Sequence, residues 1–120
     1  MRFPAERRLR AASEFSRVRA HGTSYPAKFV VVNVLEMEPE VPWRVGLITS
    51  KKVGGAVQRN LVRRRLREIV RAADIRDGLW IVTVARWRAA EATFAELRED
   101  WLRVAKRARI LVRKSETTER

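Results

Sequence analysis

Between Ser50 and Arg71 the chain reads SKKVGGAVQRNLVRRRLREIVR. That stretch holds eight cations, Lys51, Lys52, Arg59, Arg63, Arg64, Arg65, Arg67 and Arg71, against one acid, Glu68. Like charges crowded on one element repel, and the repulsion is relieved when a polyanion neutralises them. Arginine dominates over lysine, and its planar fork forms bidentate hydrogen bonds to phosphate and stacks on bases. A merely solvated helix face would need acids at i,i+4 spacing, and Glu68 alone cannot supply them. Gly54 and Gly55 precede the helical pattern. Glycines there let the backbone approach a phosphate, and helix-end N–H groups attract anions; a plain strand-to-helix turn uses glycines equally well. The G-x-x-x-x-G-K-[ST] pattern of a nucleotide-binding loop is absent. Lys51 and Lys52, at a strand end, either reach the same polyanion or stay in solvent.

Other chemistry is thinly supplied. His21 is the sole histidine, so a paired-histidine acid–base mechanism is excluded. With no cysteine, disulfides, thiolate zinc sites and cysteine nucleophiles are excluded too. Paired metals for phosphodiester cleavage need converging carboxylates. Here Glu36, Glu38 and Glu40 fall in a turn, while Glu96, Glu99 and Asp100 fall on an amphipathic helix, and both groups read as solvated. Glu68 is a candidate for holding a water-bridged Mg²⁺ beside bound RNA. Of the tryptophans, Trp80 and Trp101 read as core, whereas Trp43 and Trp87 lie at strand edges where packing and stacking are both open.

The elements that must position these residues can be read from periodicity. A length of 120 residues suits one domain, spanning 1–120 with a flexible basic arm at 1–8 and a frayed polar tail at 114–120. Lys and Arg number 27 against 14 acids, which points to nucleic acid first and an anionic membrane surface second. No apolar run approaches the roughly 20 residues that cross a bilayer. No apolar segment follows the basic N-terminus as in a secretory signal, so a cytoplasmic protein is expected. A helix is predicted over Leu9–Ala20 with Ser13 as N-cap, then a strand over 28–37 and a turn at 36–42. A second strand over 43–50, antiparallel to the first, is followed by a helix over about 57–73. After a turn at Asp77-Gly78 comes a strand over 79–86, then a helix opened by a Thr93/Glu96 capping box. On the arginine helix Val62, Leu66, Ile69 and Val70 share one stripe. Asn60, Arg63, Arg64, Arg67 and Arg71 fall on the adjoining arc, Arg59 near the apolar edge and Arg65 on the far side. The order predicts an α+β or α/β sandwich with helices over a small sheet.

The segment VGLITSKKVGGAVQRNLVRRRLRE (45–68) closely resembles the signature of the bacterial ribonuclease P protein subunit. So do LRAASEFSRVRAHGTS (9–24) and the strand IVTVAR (81–86), and the similarity runs from Leu9 to Arg109. The resemblance implies an α+β fold: a two-layer α-β sandwich like ribosomal S5 domain 2, with a left-handed βαβ crossover around the arginine helix. It implies binding to the ribonuclease P catalytic RNA and to precursor tRNA, whose 5′ leader is removed by that RNA with Mg²⁺ held mainly by it. No membrane and no small-molecule substrate is implied. By the resemblance Lys51, Lys52, Arg59, Asn60 and Arg64 face the catalytic RNA. Phe15, Arg19, Val32, Arg63, Arg67 and Arg86 belong to the leader cleft, Val32 on the strand forming its floor. Two positions depart from the family pattern. Leu61 stands in place of an arginine and is expected to be exposed, with Arg64 and Arg65 compensating. Arg19 stands where an aromatic is common. The alternative is a ribosomal or architectural RNA-binding protein of the same fold with no part in cleavage.

Overall fold

The computed structural model describes residues 4–112; the tail expected at 114–120 lies outside them. The expected basic arm is docked over the residues described. Ala5–Arg7 form a 3-10 turn, and the Arg7 guanidinium lies 4.4 Å from the Trp43 ring centroid. Arg7 also donates to the Trp43 carbonyl and to Asp77. Leu9 was expected to open the first helix. Instead its N–H donates to the Val45 carbonyl at 2.9 Å, and its side chain is buried.

Helix α1 therefore starts later and spans Ala12–His21. Ser13 is not its cap. Ala11 holds the N-cap position and has no side-chain oxygen, so Glu14 does the work. The Glu14 carboxylate accepts from the backbone N–H groups of Arg10 at 2.7 Å and Ala11 at 3.1 Å, and from Arg44 at 3.0 Å. The Arg10 N–H bond foremost, with help from Ala11 and Arg44, holds Glu14 below its ordinary value of 4.5 against the opposing effect of desolvation. A carboxyl depressed in the folded state binds fewer protons there than when unfolded. Its contribution is thus complete above the unfolded value and is lost as pH falls through the folded one. Urea melts between about pH 6 and pH 3 should show this loss, and Glu14→Gln should remove that part of the acid dependence. An unchanged pH slope in the variant would refute the assignment.

Four strands follow: β1 Thr23–Pro26, β2 Val30–Glu36, β3 Arg44–Ile48 and β4 Leu79–Ala85. Strand β1, too short to show alternation, is absent from the sequence expectations. The sheet order is β1-β2-β4-β3. β2 and β3 do run in opposite directions, but they are not neighbours. β4 inserts between them, antiparallel to β2 and parallel to β3. The parallel pair is joined through α2, Ala56–Ala72, so the arginine helix is the crossover of a βαβ unit. Helix α3, Phe94–Arg107, carries the expected Thr93/Glu96 capping box.

Helices α2 and α3 form the helical layer over one face of the sheet. Val62, Leu66, Ile69 and Val70 meet Leu97, Trp101, Val104 and the inward residues of β2 and β4. Each such side chain contributes about 1.5–3 kcal/mol by leaving water. Trp101 is fully buried, and its indole N–H donates to Thr83 at 3.1 Å. On the other face α1 lies across the sheet through Val18, which packs with Leu9 and Val82. Phe15, Ile48, Trp80 and Val84 are only partly covered there. Trp80, expected in the core, is half-buried between the guanidinium groups of Arg17 and Arg44, at 5.5 and 5.3 Å.

Candidate nucleic-acid interface

Burying one stripe of α2 fixes the direction of every arginine on it. With Val62, Leu66, Ile69 and Val70 sealed against the sheet, Arg63 and Arg67 project past the edge of β3, toward α1. There they meet Phe15. A cavity of about 240 Å³ is lined by Arg8, Leu9, Phe15, Val45, Gly46, Leu47, Arg63 and Arg67. The lining contains three arginines and no carboxylate. Gly46 is needed in this wall. A Cβ built there would sit 2.4 Å from the Phe15 ring, far inside contact distance. The ring thus rests on bare backbone, and any side chain at 46 would displace it.

Arg63 is held before any ligand arrives. Its guanidinium donates to Asn60 Oδ1 at 2.9 Å and to Thr49 Oγ1 at 2.6 Å. A guanidinium has five N–H donors, so others stay available for an anion. Asn60, expected to face the catalytic RNA, also works here as a positioning residue for Arg63. Thr49 was missed by sequence reasoning. It stands 14 positions away on the far side of the glycine turn, and a lone threonine at a strand end carries no pattern.

Arg64, Arg67, Glu68 and Arg71 line a second recess. Glu68 thus sits among three guanidinium groups, whose positive charge opposes a dication there in the free protein. Arg59 is half-buried, while Lys51 and Lys52 are exposed on a 3-10 turn, Lys51–Val53, before α2. Gly54 has φ 145 and ψ −163, a conformation essentially restricted to glycine. That explains it without an anion.

The structure corrects the expected places of Val32, Leu61 and Asp100, and it puts Arg19 and Arg86 outside the lining of the Phe15 cavity. Val32 is fully buried. Period-2 alternation turns it toward α3, together with its cross-strand partner Thr83, so it lines the core and cannot floor the cleft. Val31, Val84 and Ile48 are among the half-buried residues on the α1 face. Arg86 does not line the Phe15 cavity; its guanidinium donates to the Ala27 carbonyl at 2.9 Å and braces the β1–β2 loop. Arg19 is exposed on the last turn of α1 and outside the cavity lining. Leu61 is half-buried rather than exposed. Of the two arginines expected to compensate, Arg64 is exposed and Arg65 is half-buried, with one of its N–H groups donating to the Ala92 carbonyl at 2.9 Å. Asp100, read as solvated, is buried and accepts from the N–H groups of Lys28 and Phe29.

The family model for Ribonuclease P matches residues 3–109. The chain belongs to the ribonuclease P protein family. It is 40% identical over 108 residues to the ribonuclease P protein component of Symbiobacterium thermophilum, covering 88% of this chain and 94% of that protein. It is also 40% identical over 111 residues to that of Dehalococcoides mccartyi, covering 92% of each. Among solved structures, the Staphylococcus aureus RNase P protein superposes with a TM-score of 0.79 at 28% identity, covering 88% of this chain and 98% of that one. The Thermotoga maritima RNase P protein gives 0.74 at 30% identity, covering 83% and 96%.

Proposed function

We propose that this chain is the protein subunit of ribonuclease P. It binds the catalytic RNA and holds the 5′ leader of precursor tRNA while the RNA cuts. The observation that carries this reading is the meeting of Phe15 with Arg63 and Arg67 across bare Gly46 backbone. A ring for stacking beside guanidinium groups for phosphates suits a single strand whose bases vary, because every base has a π-face. Arg59, Asn60, Arg64, Lys51 and Lys52 are assigned to the catalytic RNA, whose backbone their charge complements. Charge-driven binding of this kind weakens with salt, by about 0.7 in log affinity per phosphate neutralised for each decade on single strands.

The protein supplies grip and position, not acid–base chemistry. Among the described residues no group of three or more carboxylates or imidazoles converges on a point where a metal would sit. The Mg²⁺ ions that cleavage needs are therefore assigned mainly to the RNA and its phosphates. No helix among the described residues is long and apolar enough to cross a membrane, and the basic surface is assigned to RNA.

Reconstitution with a bacterial catalytic RNA at low Mg²⁺ tests the proposal. The protein should raise cleavage of precursor tRNA, and the complex should bind precursor tRNA more tightly than mature tRNA. Equal affinity for the two would overturn leader recognition. Binding of structured RNA with no gain in cleavage would favour an architectural role.

A further inference from the structure

Trp87 is the largest side chain left in the open. It is 59% exposed and opens a 3-10 turn, Trp87–Glu91, that runs from β4 toward α3. Nothing in its own packing accounts for it. The turn is secured by other residues: Ala89 is fully buried, Ala92 is buried, and Arg65 of α2 clasps the Ala92 carbonyl. That clasp uses an arginine of the basic helix to hold the turn rather than to meet a ligand. The surroundings are cationic. Arg86 and Arg88 flank the indole in sequence, and Arg88 lies 5.7 Å from its ring centroid. Arg88 also pairs with Glu91 at 3.7 Å. The turn packs on the Lys51–Val53 turn and on α2, which brings exposed Lys51 and Lys52 to the same end of the molecule. In the first turn of α2, Val57 is 78% exposed.

An exposed indole set among lysines and arginines is the makeup of a base-stacking platform, with the cations on the backbone and the ring on a base. We propose that Trp87 stacks on an unpaired nucleotide of the catalytic RNA, as a contact separate from the Phe15 trough. The choice of the catalytic RNA rests on the assignment of Lys51 and Lys52 made above. Charge complementarity selects RNA over a protein partner, for which an indole ringed by cations would need a matching acidic surface.

The test measures the affinity of the full chain for a bacterial catalytic RNA alone, with salt varied. Trp87→Ala should weaken binding by about 5- to 150-fold, the range for loss of one stacked base. Trp87→Phe should stay near wild type. The salt slope should match wild type for both, because stacking neutralises no phosphate. Thermal melts of Trp87→Ala, with Trp87→Gln as a polar second variant, check that the exposed position leaves the fold intact. Wild-type affinity in both variants overturns the stacking contact while leaving the subunit assignment in place. Failure of the wild-type chain to bind the catalytic RNA overturns that assignment and this contact with it. An equal loss toward precursor tRNA without the catalytic RNA places the contact on the wrong partner and overturns the proposal. So does loss of self-association in Trp87→Ala with RNA affinity unchanged, which would make the patch a contact between copies of the chain.

Discussion

Arg63→Ala combined with Arg67→Ala is expected to abolish most of the preference of the reconstituted complex for precursor over mature tRNA. Both side chains line the trough beside Phe15, and charge-assisted hydrogen bonds are worth about 1.5–3 kcal/mol each. Losing two predicts a drop of about a hundredfold or more in affinity for leader-bearing tRNA, with mature tRNA little affected. The salt slope for the leader should flatten by about 1.4, two phosphates at about 0.7 each. Arg63→Lys should rescue poorly, because a single ammonium on a flexible stem does not reproduce a planar fork held between Asn60 and Thr49. Neither arginine belongs to the buried stripe of α2, so the double variant should melt close to wild type. Unchanged discrimination between the two tRNAs would mean that the trough is not the leader site.

The second large effect concerns stability. Asp100 lies on α3 with its side chain only 4% exposed. It accepts the backbone N–H of Phe29 at 2.7 Å and of Lys28 at 3.2 Å, and its own-helix neighbour Arg103 approaches to 3.4 Å. Asp100 thus ties the helical layer to the start of β2, at the loop that Arg86 braces from the other side. Asp100→Ala leaves two backbone donors without their acceptor, and an unsatisfied buried donor costs about 1–3 kcal/mol. A loss of about 3 kcal/mol is expected, equivalent to roughly 10 °C or more in Tm for a domain of this size. Asp100→Asn should lose less, since one acceptor oxygen survives. A melt within a degree or two of wild type for Asp100→Ala would show that water replaces the carboxylate freely.

Much of the site was legible because α2 is long and strongly periodic. Val62, Leu66, Ile69 and Val70 could be placed on one face by a 100° step, and their burial then fixed where Arg63 and Arg67 point. The Thr93/Glu96 box was legible for a similar reason: capping is local, and both partners lie within one turn. Val32 was misplaced because strand faces alternate with every residue, and a run of three valines hides which of them faces in. Asp100 was misread because its partners, Lys28 and Phe29, lie more than 70 positions away. Arg65 and Arg86 looked like ligands for the same reason. Their acceptors are backbone carbonyls, which every residue carries, so no pattern announces them.

Residue types and short-range spacing alone established a basic helix with one greasy side and the glycine turn before it. Those properties are set by neighbours within a few positions, where chain geometry leaves little choice. Only the tertiary structure decided that β4 would slip between β2 and β3, that Phe15 would come to rest on Gly46 opposite Arg63, and which cations would be tied to the protein's own carbonyls. Such outcomes depend on contacts between distant segments, whose energies are settled by packing the whole chain at once.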